Sequence, residues 1–91
     1  MRQAARRDSN EKSILAFFEG IGAAWIRHDI GCDGFLLYAG QLYIIEIKTP
    51  ATRSHLTRAE RFLRLKATLC NVPYYVITSV EEAAEMLGVE I

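Results

Sequence analysis

Two opposite charges, Glu46 and Lys48, stand near the end of the apolar run Leu42 to Pro50. Side chains alternate along a strand, so Leu42, Ile44, Glu46 and Lys48 share one face, while Tyr43, Ile45 and Ile47 share the other. A run this rich in Ile and Tyr reads as a central strand covered on both faces, where an unpaired ion costs several kcal/mol. Two arrangements would compensate the charges: an ion pair between them at the strand's solvated end, or a metal ion on Glu46 with Lys48 facing what the metal activates. Asp33 precedes the neighbouring strand, and antiparallel pairing would bring it to the same sheet edge. Magnesium takes oxygen ligands and leaves positions for water and substrate phosphate, so the two carboxylates, with the Ile47 carbonyl, match it by ligand type.

The elements that must position these residues follow from periodicity. Asp8 and Glu11 have capping-box spacing ahead of Ile14, Leu15, Phe17, Phe18 and Ile21, which predicts a helix over about Ser9 to Glu19, ended by Gly20 and Gly22. Ala23 to Asp29 is a first strand and Phe35 to Tyr38 a second, joined through Ala39-Gly40-Gln41 to the Leu42 strand as an antiparallel hairpin. Gly34 permits close backbone approach beside Asp33. Thr49 to His55 is a loop, because proline lacks a donor and the segment is polar. Thr57 and Glu60 form a capping box that opens a helix to about Cys70. A helical wheel places Ala59, Phe62, Leu63, Leu69 and Cys70 on its buried side and Arg61, Arg64 and Thr68 opposite, with Lys66 snorkelling from the apolar sector. After a turn at 71–73, Tyr74 to Thr78 is a strand parallel to the Leu42 strand through a right-handed crossover. Ser79 and Glu82 cap a short last helix that Gly88 terminates.

The chain of 91 residues is half apolar and carries no formal net charge, as expected of one domain spanning residues 1–91. No apolar run approaches the ~20 residues of a membrane span, and Met1 to Arg7 lacks the apolar segment of a secretory signal, so a cytoplasmic location without membrane partners is expected. Met1 to Arg7 reads instead as a mobile basic arm. Two cysteines, Cys32 and Cys70, are too few for a disulfide framework, and no Cys-x-x-Cys or His-x-x-x-His pair supports zinc; both are expected reduced and packed. From Lys48 to Lys66 there are six basic residues against one acid, Glu60, whereas 81–91 holds four acids and no base. The middle of the chain is therefore the candidate anion-binding surface.

Gly31-x-Asp33, then twelve residues, then Glu46-x-Lys48, all behind a helix carrying Glu11, resembles the PD-(D/E)XK nuclease superfamily. Its VRR-NUC branch, in the small stand-alone form found in phage and bacteria, is the nearer likeness. That likeness continues through Leu56-Thr57-x-Ala59 at the second helix and through Tyr74 to Glu82. The resemblance implies a restriction-endonuclease-like α-β-β-β-α-β core with a mixed central sheet flanked by helices. It implies Asp33, Glu46 and Lys48 as catalytic residues, with Asp33, Glu46, the Ile47 carbonyl and an outer Glu11 holding magnesium or manganese. Cys32 stands where the superfamily's name pattern has proline, and Glu60 where glutamine is common, which makes Glu60 an auxiliary candidate.

The function expected is metal-dependent hydrolysis of DNA. Arg53, Arg58, Arg61 and Arg64 would contact flanking phosphates, so recognition would follow DNA shape rather than base sequence. Cutting both strands needs two sites, which a homodimer supplies, and the resemblance implies resolution of four-way (Holliday) junctions. Two rivals remain: a catalytically inactive nuclease-fold module that binds DNA or protein, and a structural α/β protein. Hydrolysis by Ser, His or Cys finds no third member beside His28-Asp29 or Ser54-His55.

Overall fold

The alternating and helical patterns resolve, in a computed structural model, into a mixed four-stranded sheet flanked by three α-helices. It describes the backbone of residues 2–91 and the side chains of residues 10–91. The elements are α1 (Arg2–Gly20), β1 (Ala24–Arg27), β2 (Gly34–Tyr38), β3 (Gln41–Ile47), a 3-10 turn (Pro50–Thr52), α2 (Arg58–Leu69), β4 (Tyr74–Ile77) and α3 (Val80–Leu87). Strand order is β1-β2-β3-β4; the first three run antiparallel, and β4 lies parallel to β3 across the α2 crossover. Among the described residues no helix is long and apolar enough to cross a membrane.

Alternation along β3 divides the interior into two layers. Ile45 and Ile47 join Ile14 and Phe18 of α1, Leu36, Ile77 and Ala83 of α3 in the larger core, while Ile44 faces Cys32 and Ala67 of α2. Cover on both faces begins only at Ile44, since Gln41 and Leu42 are exposed at the hairpin end. The hairpin itself is tighter than the expected three-residue connection. Tyr38 pairs with Gln41, so only Ala39 and Gly40 turn, at φ 53° and 79°. Two successive positive φ values match the twist of the flanking strands.

Two further expectations are corrected. Helix α1 begins ahead of Ser9, so Asp8 does not stand at its start; the run from Arg2 to Arg6 consists of good helix formers, which carry the helix back. The expected basic arm has its side chains outside the described residues. Helix α2 is rotated from the wheel's orientation. It meets the sheet through Glu60, Leu63 and Ala67, whereas Phe62, Leu65 and Leu69 are 61%, 56% and 70% exposed, and Ala59 and Cys70 also face solvent. Lys66, expected to snorkel from a buried sector, stands instead on this exposed face, 5.3 Å over the Phe62 ring.

Gly34 seats β2 against β1. A Cβ there would stand 2.4 Å from Trp25 Cζ2 and 2.7 Å from the Ile26 carbonyl oxygen. The Trp25 indole it would displace stacks on Phe18 at 5.8 Å, inside the larger core. Overpacking at this point forces backbone movement, so Gly34→Ala is expected to cost about 1–3 kcal/mol in urea unfolding. An unchanged urea midpoint would show that β1 is free to shift.

Candidate functional site

The antiparallel register of β2 and β3 puts Asp33, one residue before β2, opposite the end of β3. The Asp33 N–H donates to the Ile45 carbonyl at 2.9 Å, and the Asp33 carboxylate accepts the Ile47 N–H at 2.7 Å. Asp33 thus extends the ladder with its own side chain and aims it at the Glu46–Lys48 edge. The Ile47 side chain points into the larger core, away from this edge. The Lys48 N–H is taken by the Ile77 carbonyl of β4 at 2.9 Å. Its carbonyl accepts from the Asn10 side-chain amide of α1 at 2.8 Å.

Glu46 and Lys48, neighbours on one face by alternation, lie 3.4 Å apart. Glu60 completes the group from the first turn of α2. Its carboxylate accepts the Thr57 N–H at 2.8 Å, closing the capping box, and the same oxygen lies 3.1 Å from the Lys48 ammonium. Glu60 therefore caps α2 and stands beside Lys48 with one and the same oxygen. The Lys48 ammonium stands between two carboxylates, where a cation belongs.

Glu46 is 2% exposed, and its Oε1 has no hydrogen-bond partner among the described residues. Burial pushes its carboxyl up to about 8, helped by a proton shared with Glu60 and by the charge of Asp33, and opposed by Lys48. Burial would also raise Glu60, yet the shared proton, the Thr57 N–H and Lys48 outweigh it and hold that carboxyl low. The proton of the pair therefore rests on Glu46, the more deeply buried member. Behind them, the Cys32 thiol is pushed up to about 11 by burial and the Glu46 charge, so it stays protonated and is no nucleophile at neutral pH. Tyr74, raised by burial and the same charge, donates its hydroxyl to the Gly31 carbonyl at 2.9 Å.

The donor set fits a hard divalent cation. It offers carboxylate oxygens, one of them a buried Glu46 oxygen without a partner among the described residues. In the observed arrangement Glu46 and Glu60 converge on Lys48, and among the described residues no three His, Cys, Asp or Glu side chains are grouped to hold a metal ion. Glu11 is half-buried on α1, one residue beyond Asn10.

Of the arginines expected at phosphates, Arg53 is paired with Glu82, whose other oxygen accepts the Thr78 N–H at 2.8 Å and hydroxyl at 3.1 Å. Arg61 donates to the Leu56 carbonyl at 2.7 Å, which fixes its guanidinium beside the start of α2. Arg58 and Arg64 are exposed on the same helix. Asn10 and Tyr74 are the site neighbours that sequence reasoning missed. The signal for Asn10 was its place next to Glu11, but an amide bonded to a backbone carbonyl leaves no side-chain pattern to read. Comparison of the chain with known protein families, curated proteins and solved structures finds no match in any of the three.

The carboxyl pair makes stability depend on pH in a defined direction. An unfolded Glu46 loses its proton near the ordinary carboxylate value, whereas the folded one keeps it to about 8. Between those values the folded state binds the extra proton, so stability falls as pH rises. Glu46→Gln, which cannot ionise, is expected to gain Tm over the parent progressively from pH 5 to pH 8 in EDTA. A Tm difference that is flat across this range would show that Glu46 ionises normally.

Proposed function

We propose that the protein is a metal-dependent DNA endonuclease, hydrolysing phosphodiester bonds in branched DNA such as four-way junctions and working as a homodimer in the cytoplasm. The observation that carries this reading is the convergence of Asp33, Glu46 and Lys48 at one sheet edge, with Asp33 held at 2.7 Å to the Ile47 N–H and Lys48 at 3.4 Å from Glu46. It is the ordered set that the resemblance to VRR-NUC nucleases implies, brought together by the hairpin. Asp33 and Glu46 would hold magnesium or manganese, with the Ile47 carbonyl and an outer Glu11. When bound, such an ion polarises the scissile phosphate and lowers the pKa of a coordinated water. Asp33 is fixed to the end of β3 by its own hydrogen bonds, so its carboxylate meets the substrate edge without rearrangement. Lys48, released from Glu60, brings its ammonium to the charge that develops on the phosphate or orients the attacking water. Glu60, in place of the usual glutamine, sets how readily that lysine is released.

One observation favours a second reading, a catalytically inactive module of the same fold that binds DNA or protein. Lys48 is held by two carboxylates at 3.4 and 3.1 Å, a closed ion cluster that is stable without further ligands.

The two readings part in a cleavage assay on a labelled four-way junction and matched linear duplex, with magnesium, manganese or EDTA. Symmetric junction cutting with metal only, absent in Lys48→Ala, is the expected result. Junction that is bound but intact in every lane, with parent and Lys48→Ala alike, would leave the binding module. Phosphate contacts are separately visible in salt dependence. Arg58→Ala, Arg61→Ala and Arg64→Ala should each lower the slope of log affinity against log salt by roughly one. Arg53→Ala should lower it less, because Glu82 already balances that charge. Slopes unmoved by the three α2 variants would place the DNA elsewhere.

A further inference from the structure

The orientation of α2 leaves a large apolar stripe without a partner among the described residues. Phe62, Leu65 and Leu69 fall on one face at helical spacing, pointing away from the sheet that Glu60, Leu63 and Ala67 meet. Scattered exposed apolar residues are ordinary, but three large ones aligned on a 12-residue helix form a contiguous patch. What covers it is indicated by two features of the helix itself.

The first is spacing. Positions 62, 65, 66 and 69 read the same in both directions about a point between Leu65 and Lys66. Two copies of α2 laid antiparallel about that point match under a two-fold axis: Phe62 lies level with the second copy's Leu69 and Leu65 level with its Lys66, so the two Leu65 side chains flank the axis one residue apart. The second is charge. Arg58, Arg61 and Arg64 lie ahead of the last turn of α2, whereas Ala67 to Cys70 carries no charge. Parallel pairing would stack the arginines, but antiparallel pairing sets Arg61 level with Cys70 of the other copy, at its uncharged end. There the last carbonyls of the helix carry partial negative charge, which favours a cation. Lys66 already lies over Phe62 at 5.3 Å with its ammonium free to stay in water at the rim.

We propose that α2 is a self-association surface, through which a second copy of this chain docks antiparallel along Phe62, Leu65 and Leu69. The two-fold axis of such a pair runs across the helices, so it carries the Arg61 and Arg64 flank of both copies to the same side. The pairing thereby builds one continuous basic ridge from two short ones, suited to a polyanion longer than either helix. The inference names the interface of the homodimer that the nuclease reading uses, but it stands on α2 alone and is tested without metal or DNA.

Sedimentation equilibrium of the full chain in EDTA should give a dimer in the upper micromolar range that dissociates on dilution, as suits an interface of one helix per copy. Leu65→Glu should weaken association at least tenfold with Tm unchanged, since the side chain is already exposed. In a Cys70→Ser background, Leu65→Cys should form a disulfide across the axis on mild oxidation, while Arg58→Cys, whose symmetry mate lies beyond the helix end, should not. The proposal is overturned by a monomer at every concentration, or by a dimer that Leu65→Glu leaves intact. It is equally overturned if Arg58→Cys crosslinks as readily as Leu65→Cys. None of these results depends on whether the protein cuts DNA.

Discussion

A carboxylate that is 2% exposed at the end of a central strand dictates much of what surrounds it. Removing such an ion from water costs several kcal/mol even after relaxation. Lys48 at 3.4 Å returns on the order of 5 kcal/mol at an effective dielectric of about 20, enough to balance one carboxylate. It cannot balance three. Asp33, Glu46 and Glu60 together carry three charges against one ammonium, so the group remains two charges out of balance when fully ionised. A proton on Glu46 removes one of them: burial first, then the hydrogen bond to Glu60 and the charges of Asp33 and Glu60, raise that carboxyl to about 8. The other is left to the surroundings of Asp33, whose carboxylate accepts the Ile47 N–H at 2.7 Å.

The backbone supplies the rigidity that this balance requires. The end of β3 is fastened from three directions: Asp33 takes the Ile47 N–H, Ile77 takes the Lys48 N–H, and Asn10 gives its amide to the Lys48 carbonyl. Hairpin partner, parallel neighbour and first helix therefore all hold two adjacent residues. Lys48 extends from this fastened peptide, and its ammonium stands 3.4 Å from Glu46 and 3.1 Å from Glu60.

Much of this was legible in the sequence because it follows from short-range geometry. Alternation placed Glu46 beside Lys48, the hairpin placed Asp33 opposite the end of β3, and Thr57 with Glu60 announced the start of α2. At α3 the reading held in part: Ser79 accepts the Glu82 N–H, but the Glu82 carboxylate reaches Thr78 and Arg53 rather than closing the box. What failed was the orientation of α2. A wheel weighs every apolar residue toward the core, and Phe62 and Leu69 outweighed Glu60. It cannot know that the sheet presents a lysine to that helix, so that a glutamate is the residue drawn inward. Asn10 and Tyr74 were hidden for a related reason, since both act through backbone carbonyls that any sequence possesses.

The misjudged helix also links the two halves of the molecule's chemistry. The rotation that carries Glu60 to the Lys48 ammonium, at 3.1 Å, is the one that turns Phe62, Leu65 and Leu69 outward. Neither face can be changed alone, because a helix is rigid about its axis and adjacent side chains are fixed about 100° apart. A glutamine at position 60 would cap the helix without the ionic tie to Lys48 and leave α2 less firmly oriented. Glu60 therefore bears on more than the charge of the site: with Leu63 and Ala67 it sets the face that α2 turns outward.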